Sequence, residues 1–260
     1  MPGSPRYAPD RPVSSAISRG QGSSCGETAR AEPVSYLPCD ADDRYVQRVT
    51  PGQRTLAQRE RQALVATMAA AGPDAPTLCG TWLVRDLAAH LVVRERRPDA
   101  APGVMVPALA GYLEAVRTAY ARRPFQQLLE LVRTGPPWWS PLRPVDALVN
   151  SVEYFVHHED VRRGAPGWEP RVLPVADERQ LWNMLRRTAS FGYRKAPVRV
   201  ALVTPDGSEL RVGAKSGATV TLRAPASELT LYSMGRGEVR VEITGEPAAV
   251  EALARFDRSV

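Results

Sequence analysis

Apolar residues in this 260-residue chain recur at helical spacing up to about residue 195 and alternate as in strands after it. One change of period implies one change of architecture. The chain therefore reads as a helical bundle at 53–195 followed by a small α+β domain at 197–258, with no internal repeat. Residues 1–52 have neither period. They are rich in Pro, Ser, Gly and Arg, and are expected to be a disordered extension.

The helix boundaries follow from capping and breaking residues. Leu56, Leu64, Val65 and Met68 share a face, with Gly72 at a stop position. TWLVRDLAAHLVVRE is a second helix with Thr81 as its expected N-cap and Pro98 beyond its end. Further helices are expected at 106–122, at 124–135 after Pro124, at 145–163 before Gly164, and over ADERQLWNMLRRTASF. The loop GPPWWSPLRP has too many prolines to be regular. After Pro197, VRVALV and SELRVG flank a Pro-Asp-Gly turn. ATVTLRA and EVRVEITG read as further strands, and SELTLYSMGR and PAAVEALARF as short helices.

Composition excludes several classes of function. No apolar run approaches the roughly 20 residues that span a bilayer, and the first twenty residues lack a signal-peptide core. A cytoplasmic location with no membrane partner is expected. The net charge is +6, but all the basic residues except Lys195 and Lys215 are arginine, and they are interspersed with acids. This argues against nucleic acid, whose binders concentrate cations on one face or tail. Cys25, Cys39 and Cys79 lack the spacing of a disulfide framework or a zinc-thiolate site. Cys79 is either a reactive thiol or a small, partly buried loop residue.

The most informative residues are the three histidines, His90, His157 and His158, which all fall in apolar helices. At about 100° per residue, Glu153 and His157 share a face, and Asp146, Val149, Asn150 and Asp160 lie close to it. Such a polar stripe is costly to bury unless it is paired or holds a metal. His90 lies on the apolar face of its own helix, with Asp86 one turn earlier as a candidate to orient it. His90, Glu153 and His157 together offer two imidazoles and one carboxylate. That set suits zinc with an open fourth position, and equally non-haem iron, with Asp160 as a partner for His157. A buried hydrogen-bond network explains the stripe as well. His158 points away from this face.

These residues also carry a resemblance. GPDAPTLCGTWLVRDLAAHLVVRERRPDA resembles the W-x-x-x-D-L-x-x-H-L signature of the DinB/YfiT-like metal-binding bundles. Glu153-Tyr-Phe-Val-His157-His-Glu-Asp160 resembles the E-x-x-x-H-x-x-D motif of the mycothiol-dependent maleylpyruvate isomerases. The stretch from Arg59 to Arg236 looks like an actinobacterial branch of that superfamily. Leu83 stands where many relatives carry Thr or Ser, which is why Thr81 is expected to cap the helix. The resemblance implies an α+β fold, a DinB-like four-helix bundle followed by a sterol-carrier-like α/β domain. It implies a divalent metal on His90, Glu153 and His157, zinc foremost, with iron or nickel as alternatives. It implies mycothiol as a thiol cofactor, a small anionic electrophile as substrate, and isomerisation or transfer as the reaction. Arg236, in YSMGRG, matches an arginine that helps to bind substrate. Arg162 and Arg163 either assist it or offset the dipole of their helix. Metal-assisted hydrolysis and a non-catalytic metal- or ligand-binding module are the alternatives, in a monomer or homodimer.

Overall fold

A computed structural model describes residues 54–100, 103, 106–137 and 146–258, and for residues 146–149 only the backbone. The expectations for residues 1–52, including Cys25 and Cys39, and for most of the proline-rich loop lie outside the described residues.

Six helices come first: α1 (Leu56–Ala71), α2 (Val84–Arg96), α3 (Pro107–Ala121), α4 (Phe125–Thr134), α5 (Asp146–Arg162) and α6 (Val175–Gly192). Thr55 caps α1 through a reciprocal bond pair with Gln58, and Gly72 ends it. Thr81 does not cap α2. The N-cap is Leu83, an extended residue held by a β-bridge to Pro76, and the Asp86 carboxylate accepts its backbone N–H at 3.2 Å. The chain therefore enters α2 from a closed loop, two residues later than a Thr81 cap would allow.

The second part is β1 (Arg199–Val203), β2 (Glu209–Gly213), β3 (Thr219–Arg223), α7 (Ala226–Ser233), β4 (Glu242–Thr244) and α8 (Pro247–Ala254). The sheet order is β2-β1-β3-β4. β1 pairs antiparallel with β2, with Val203 opposite Glu209, and parallel with β3, with Arg199 opposite Thr219. Gly207 turns the β1–β2 hairpin at φ 86°, a conformation that other residues adopt only with strain. The strand expected over 238–245 pairs only at Glu242–Thr244, and Val239 and Val241 pack on the core beside it instead.

Two large apolar cores result among the described residues, besides a small cluster of Val93, Ala100 and Val116. One joins Leu64 and Met68 of α1, Leu87 and Leu91 of α2, Leu128 and Val132 of α4, and Tyr154 and Val161 of α5. The other joins Leu181 and Leu185 of α6 with the sheet, α7 and α8, and takes in Phe155 and Val156 of α5. Helix α5 thus serves both cores from adjacent residues, which a helix allows because consecutive side chains diverge by about 100°. Its remaining stripe, between the two apolar faces, is the polar one.

Candidate metal centre

The polar stripe of α5 meets α2 at His90. Glu153 Oε1 lies 3.2 Å from His157 Nε2 and 3.5 Å from His90 Nε2. All three donor atoms lie within 4.8 Å of one another. These spacings suit an ion. Ligands about 2.1 Å from a tetrahedral zinc are about 3.4 Å apart along each edge. The contact at 3.5 Å is long for a hydrogen bond but ordinary for two ligands of one metal. His90 and Glu153 keep side-chain exposures of 27% and 26%, so the cluster opens to solvent on that side. The donor chemistry therefore fits a divalent cation with a coordination position left for a small molecule.

His157 faces two carboxylates, one from each ring nitrogen. Its Nδ1 lies 2.8 Å from Asp160 Oδ2. A carboxylate only accepts, so this contact places a proton on Nδ1 and leaves Nε2 as the nitrogen a cation can use. Asp160 is fully buried and receives two further donors. Arg236 donates from Nε to Oδ1 at 2.9 Å and from Nη2 to Oδ2 at 2.7 Å, and the Cys79 thiol donates to Oδ2 at 3.0 Å. Cys79, His157 and Asp160 form a second compact donor group. There a cation would have to share Asp160 with a guanidinium. At the Glu153 group the nearest cation, Arg94, has its Nε 3.4 Å from Oε1 and gives Nη1 to Asn150 Oδ1 at 2.5 Å. Both groups thus border a guanidinium, but Arg236 engages both oxygens of Asp160 whereas Arg94 approaches Glu153 at one oxygen and at a longer distance, so the His90–Glu153–His157 group is the less neutralised.

The acid–base balance follows from these contacts. Burial pushes Glu153 up, but the hydrogen bonds from His157 and His90 and the charge of Arg94 outweigh it and hold Glu153 far below the usual carboxylate range. Burial also opposes the ionised Asp160, yet Arg236 and His157 bring it down to about 2. His90 is lowered, chiefly by burial, and so is held neutral. His157 is raised despite burial, because Asp160, Cys79 and Glu153 favour its charged form. The same anionic surroundings favour a dication at Nε2.

The other expected residues have different partners. Asp86 does not orient His90. Its oxygens cap α2 and pair with Arg117 at 2.7 Å. His158 joins Glu60 at 2.7 Å and Thr67 at 2.9 Å, on another face. Arg162 and Arg163 are held by Glu159, and the buried Arg163 also pairs with Glu228 of α7, so both are occupied by carboxylates of this chain. Asp146 and Val149 lie where only the backbone is described. Three neighbours complete the surroundings: Trp82 heads the W-x-x-x-D-L-x-x-H-L motif and Cys79 is legible only as a loop thiol, while Arg117 carries no sequence signal. Cys79 reaches it through the loop before α2, Trp82 stacks near His90 with ring centroids 5.2 Å apart, and Arg117 lies over Trp82 at 4.8 Å.

Comparison with known proteins agrees with the fold. Residues 55–137 match the family described as the mycothiol maleylpyruvate isomerase N-terminal domain. Two solved structures align over 73% of this chain and 90% of theirs, each with a TM-score of 0.52. One is mycothiol-dependent maleylpyruvate isomerase, at 14% identity; the other is a histidine-to-alanine mutant of that enzyme, at 13%. No curated protein matches by sequence.

Proposed function

We propose that this chain is a divalent-metal-binding protein that presents mycothiol, or a similar small thiol, to a small anionic electrophile for isomerisation or transfer. Its residues 55–137 carry a domain of the mycothiol maleylpyruvate isomerase N-terminal type, and it shares that enzyme's fold. The observation that carries the reading is the convergence of His90 Nε2, Glu153 Oε1 and His157 Nε2 at spacings that suit one tetrahedral ion.

In this reading His90, Glu153 and His157 hold the ion, zinc foremost. A divalent ion there supplies Lewis acidity that lowers the pKa of a thiol. The chain's own residues do the rest. Asp160 orients His157, and Trp82 walls the cluster on the His90 side. Arg236 faces the substrate anion with the N–H groups not given to Asp160 and Met234. No helix among the described residues is long and apolar enough to cross a membrane. A cytoplasmic monomer or homodimer completes the proposal.

The test is metal content by mass spectrometry, followed by turnover of α,β-unsaturated carboxylates with and without mycothiol. One metal per chain is expected in the wild type, lost in His90→Ala and His157→Ala, with turnover that requires the thiol. Full metal retention in both variants would refute the site. Thiol-independent cleavage of carboxylic esters, assayed alongside, would point to metal-assisted hydrolysis. Bound metal with no turnover would leave a binding module.

A further inference from the structure

Arg236 belongs to the turn after α7, yet its guanidinium is committed to the metal cluster's supporting carboxylate. Nε and Nη2 take one oxygen each of Asp160, and Nη1 donates to the Met234 carbonyl at 2.6 Å. A two-pronged contact of this kind fixes a carboxylate in angle as well as position. Asp160 in turn holds His157 Nδ1 at 2.8 Å, and so sets which way Nε2 points. The loop before α2 is tied to the same residue. The Leu78 N–H donates to the Asp160 carbonyl at 3.1 Å, and the Cys79 thiol donates to its side chain. Asp160 is thus the point where three segments meet: α5, the loop before α2, and the α7 turn.

We propose that Arg236 is a positioning residue for the metal. Through Asp160 it locks the His157 ring toward Glu153 and His90, so that ion binding and docking of the α7 turn against α5 are one event. The inference rests on the metal reading above and adds a role for Arg236 separate from substrate contact.

The sign of the effect distinguishes this role from simple charge. Arg236 is a cation one residue removed from a dication site. Acting through space alone, its removal would tighten metal binding. Acting through Asp160, its removal loosens a ligand and weakens binding, and loss of such outer partners typically costs about 10- to 100-fold in affinity.

The experiment measures Zn²⁺ affinity by competition with a chromophoric chelator, in wild type, Arg236→Gln, Arg236→Lys, Asp160→Asn and the Arg236→Gln/Asp160→Asn double variant. The visible bands of the Co²⁺-loaded proteins are read alongside. Arg236→Gln is expected to bind zinc at least about 10-fold more weakly and to shift the cobalt bands. Arg236→Lys recovers part of the loss. In the Asp160→Asn background the same Arg236→Gln change has little further effect, because its route is gone. Near-ultraviolet circular dichroism checks that each metal-free variant is folded. An unchanged or tighter affinity in folded Arg236→Gln overturns the proposal, as does an undiminished loss in the Asp160→Asn background. A wild type that binds no zinc overturns the metal reading and this proposal with it. Zinc-binding wild type with an indifferent Arg236 overturns this proposal alone.

Discussion

Gly164, just after α5, is the contact on which the loop before α2 rests. A methyl group built there would lie 2.2 Å from the Pro76 carbonyl oxygen and 2.8 Å from both the Pro76 carbonyl carbon and Thr77 Cα. These are backbone atoms and cannot rotate aside. Ordinary contact begins at 3.4 Å, so Gly164→Ala must push the loop away by about 1.2 Å. The bonds that tie the loop to Asp160, Leu78 N–H at 3.1 Å and Cys79 Sγ at 3.0 Å, would then stretch beyond hydrogen-bond range. Forcing a methyl group into packed structure costs about 1–3 kcal/mol. Each bond lost adds about 0.5–1.5 kcal/mol. Replacing glycine also returns about 0.4–1 kcal/mol, because the unfolded chain has less freedom. The steric side wins, and a net loss of about 1–6 kcal/mol is expected. Urea denaturation of the metal-free protein measures it. A variant within about 0.5 kcal/mol of wild type would show that the loop yields freely, and would refute its rigid seating on α5.

Acid and zinc report on the same cluster with opposite signs. Asp160, Glu60 and Glu159 are buried and Glu153 is half-buried, which alone would raise them, but each is held below its ordinary value by histidine or arginine partners. Their folded values lie below the unfolded ones near 4, so their stabilisation is full above about pH 4.5 and is lost as the pH falls through the folded values, about 2 for Asp160. The melting temperature of the metal-free protein should therefore drop steeply below about pH 4. His157 is raised, so its contribution is full below the unfolded value near 6.5 and is lost as the pH rises through the folded one. Zinc must displace that proton, and calorimetry in buffers of different ionisation enthalpy should find about one proton released per ion near pH 7. The last prediction concerns Arg163→Met, which takes from Glu228, 3% exposed, its guanidinium partner and leaves it the Arg240 backbone N–H, while Glu159 keeps Arg162 and Arg171. It should cost about 3–5 kcal/mol in denaturant unfolding while leaving zinc stoichiometry intact.

What could be read from the sequence depended on distance along the chain. The helix-to-strand change and the Glu153/His157 pairing are local periodicities, and local periodicity is what a sequence displays directly. Placing His90 beside them, 63 residues away, took two facts: both helices are amphipathic, and an otherwise apolar face carried a titratable group. The Leu83 cap is not legible in the sequence because its signal is split. The carboxylate of Asp86 sits inside α2, while the extended backbone at Leu83 is imposed by its bridge to Pro76. One turn of helix makes Asp86 and His90 neighbours in sequence, but in the structure the α2 cap and Arg117 take the Asp86 carboxylate. Cys79 and the Arg236 fork belong to loops, where no period exists, and their meeting at Asp160 is decided by how the two cores seat α5 between them. The polar stripe is therefore a property of one helix and can be found in one helix. The orientation of its histidine is a property of the whole fold, since it depends on a carboxylate whose other partners come from segments near residues 79 and 236. Substitutions that spare the stripe but unseat either loop should accordingly weaken the ion's hold while the helix itself remains.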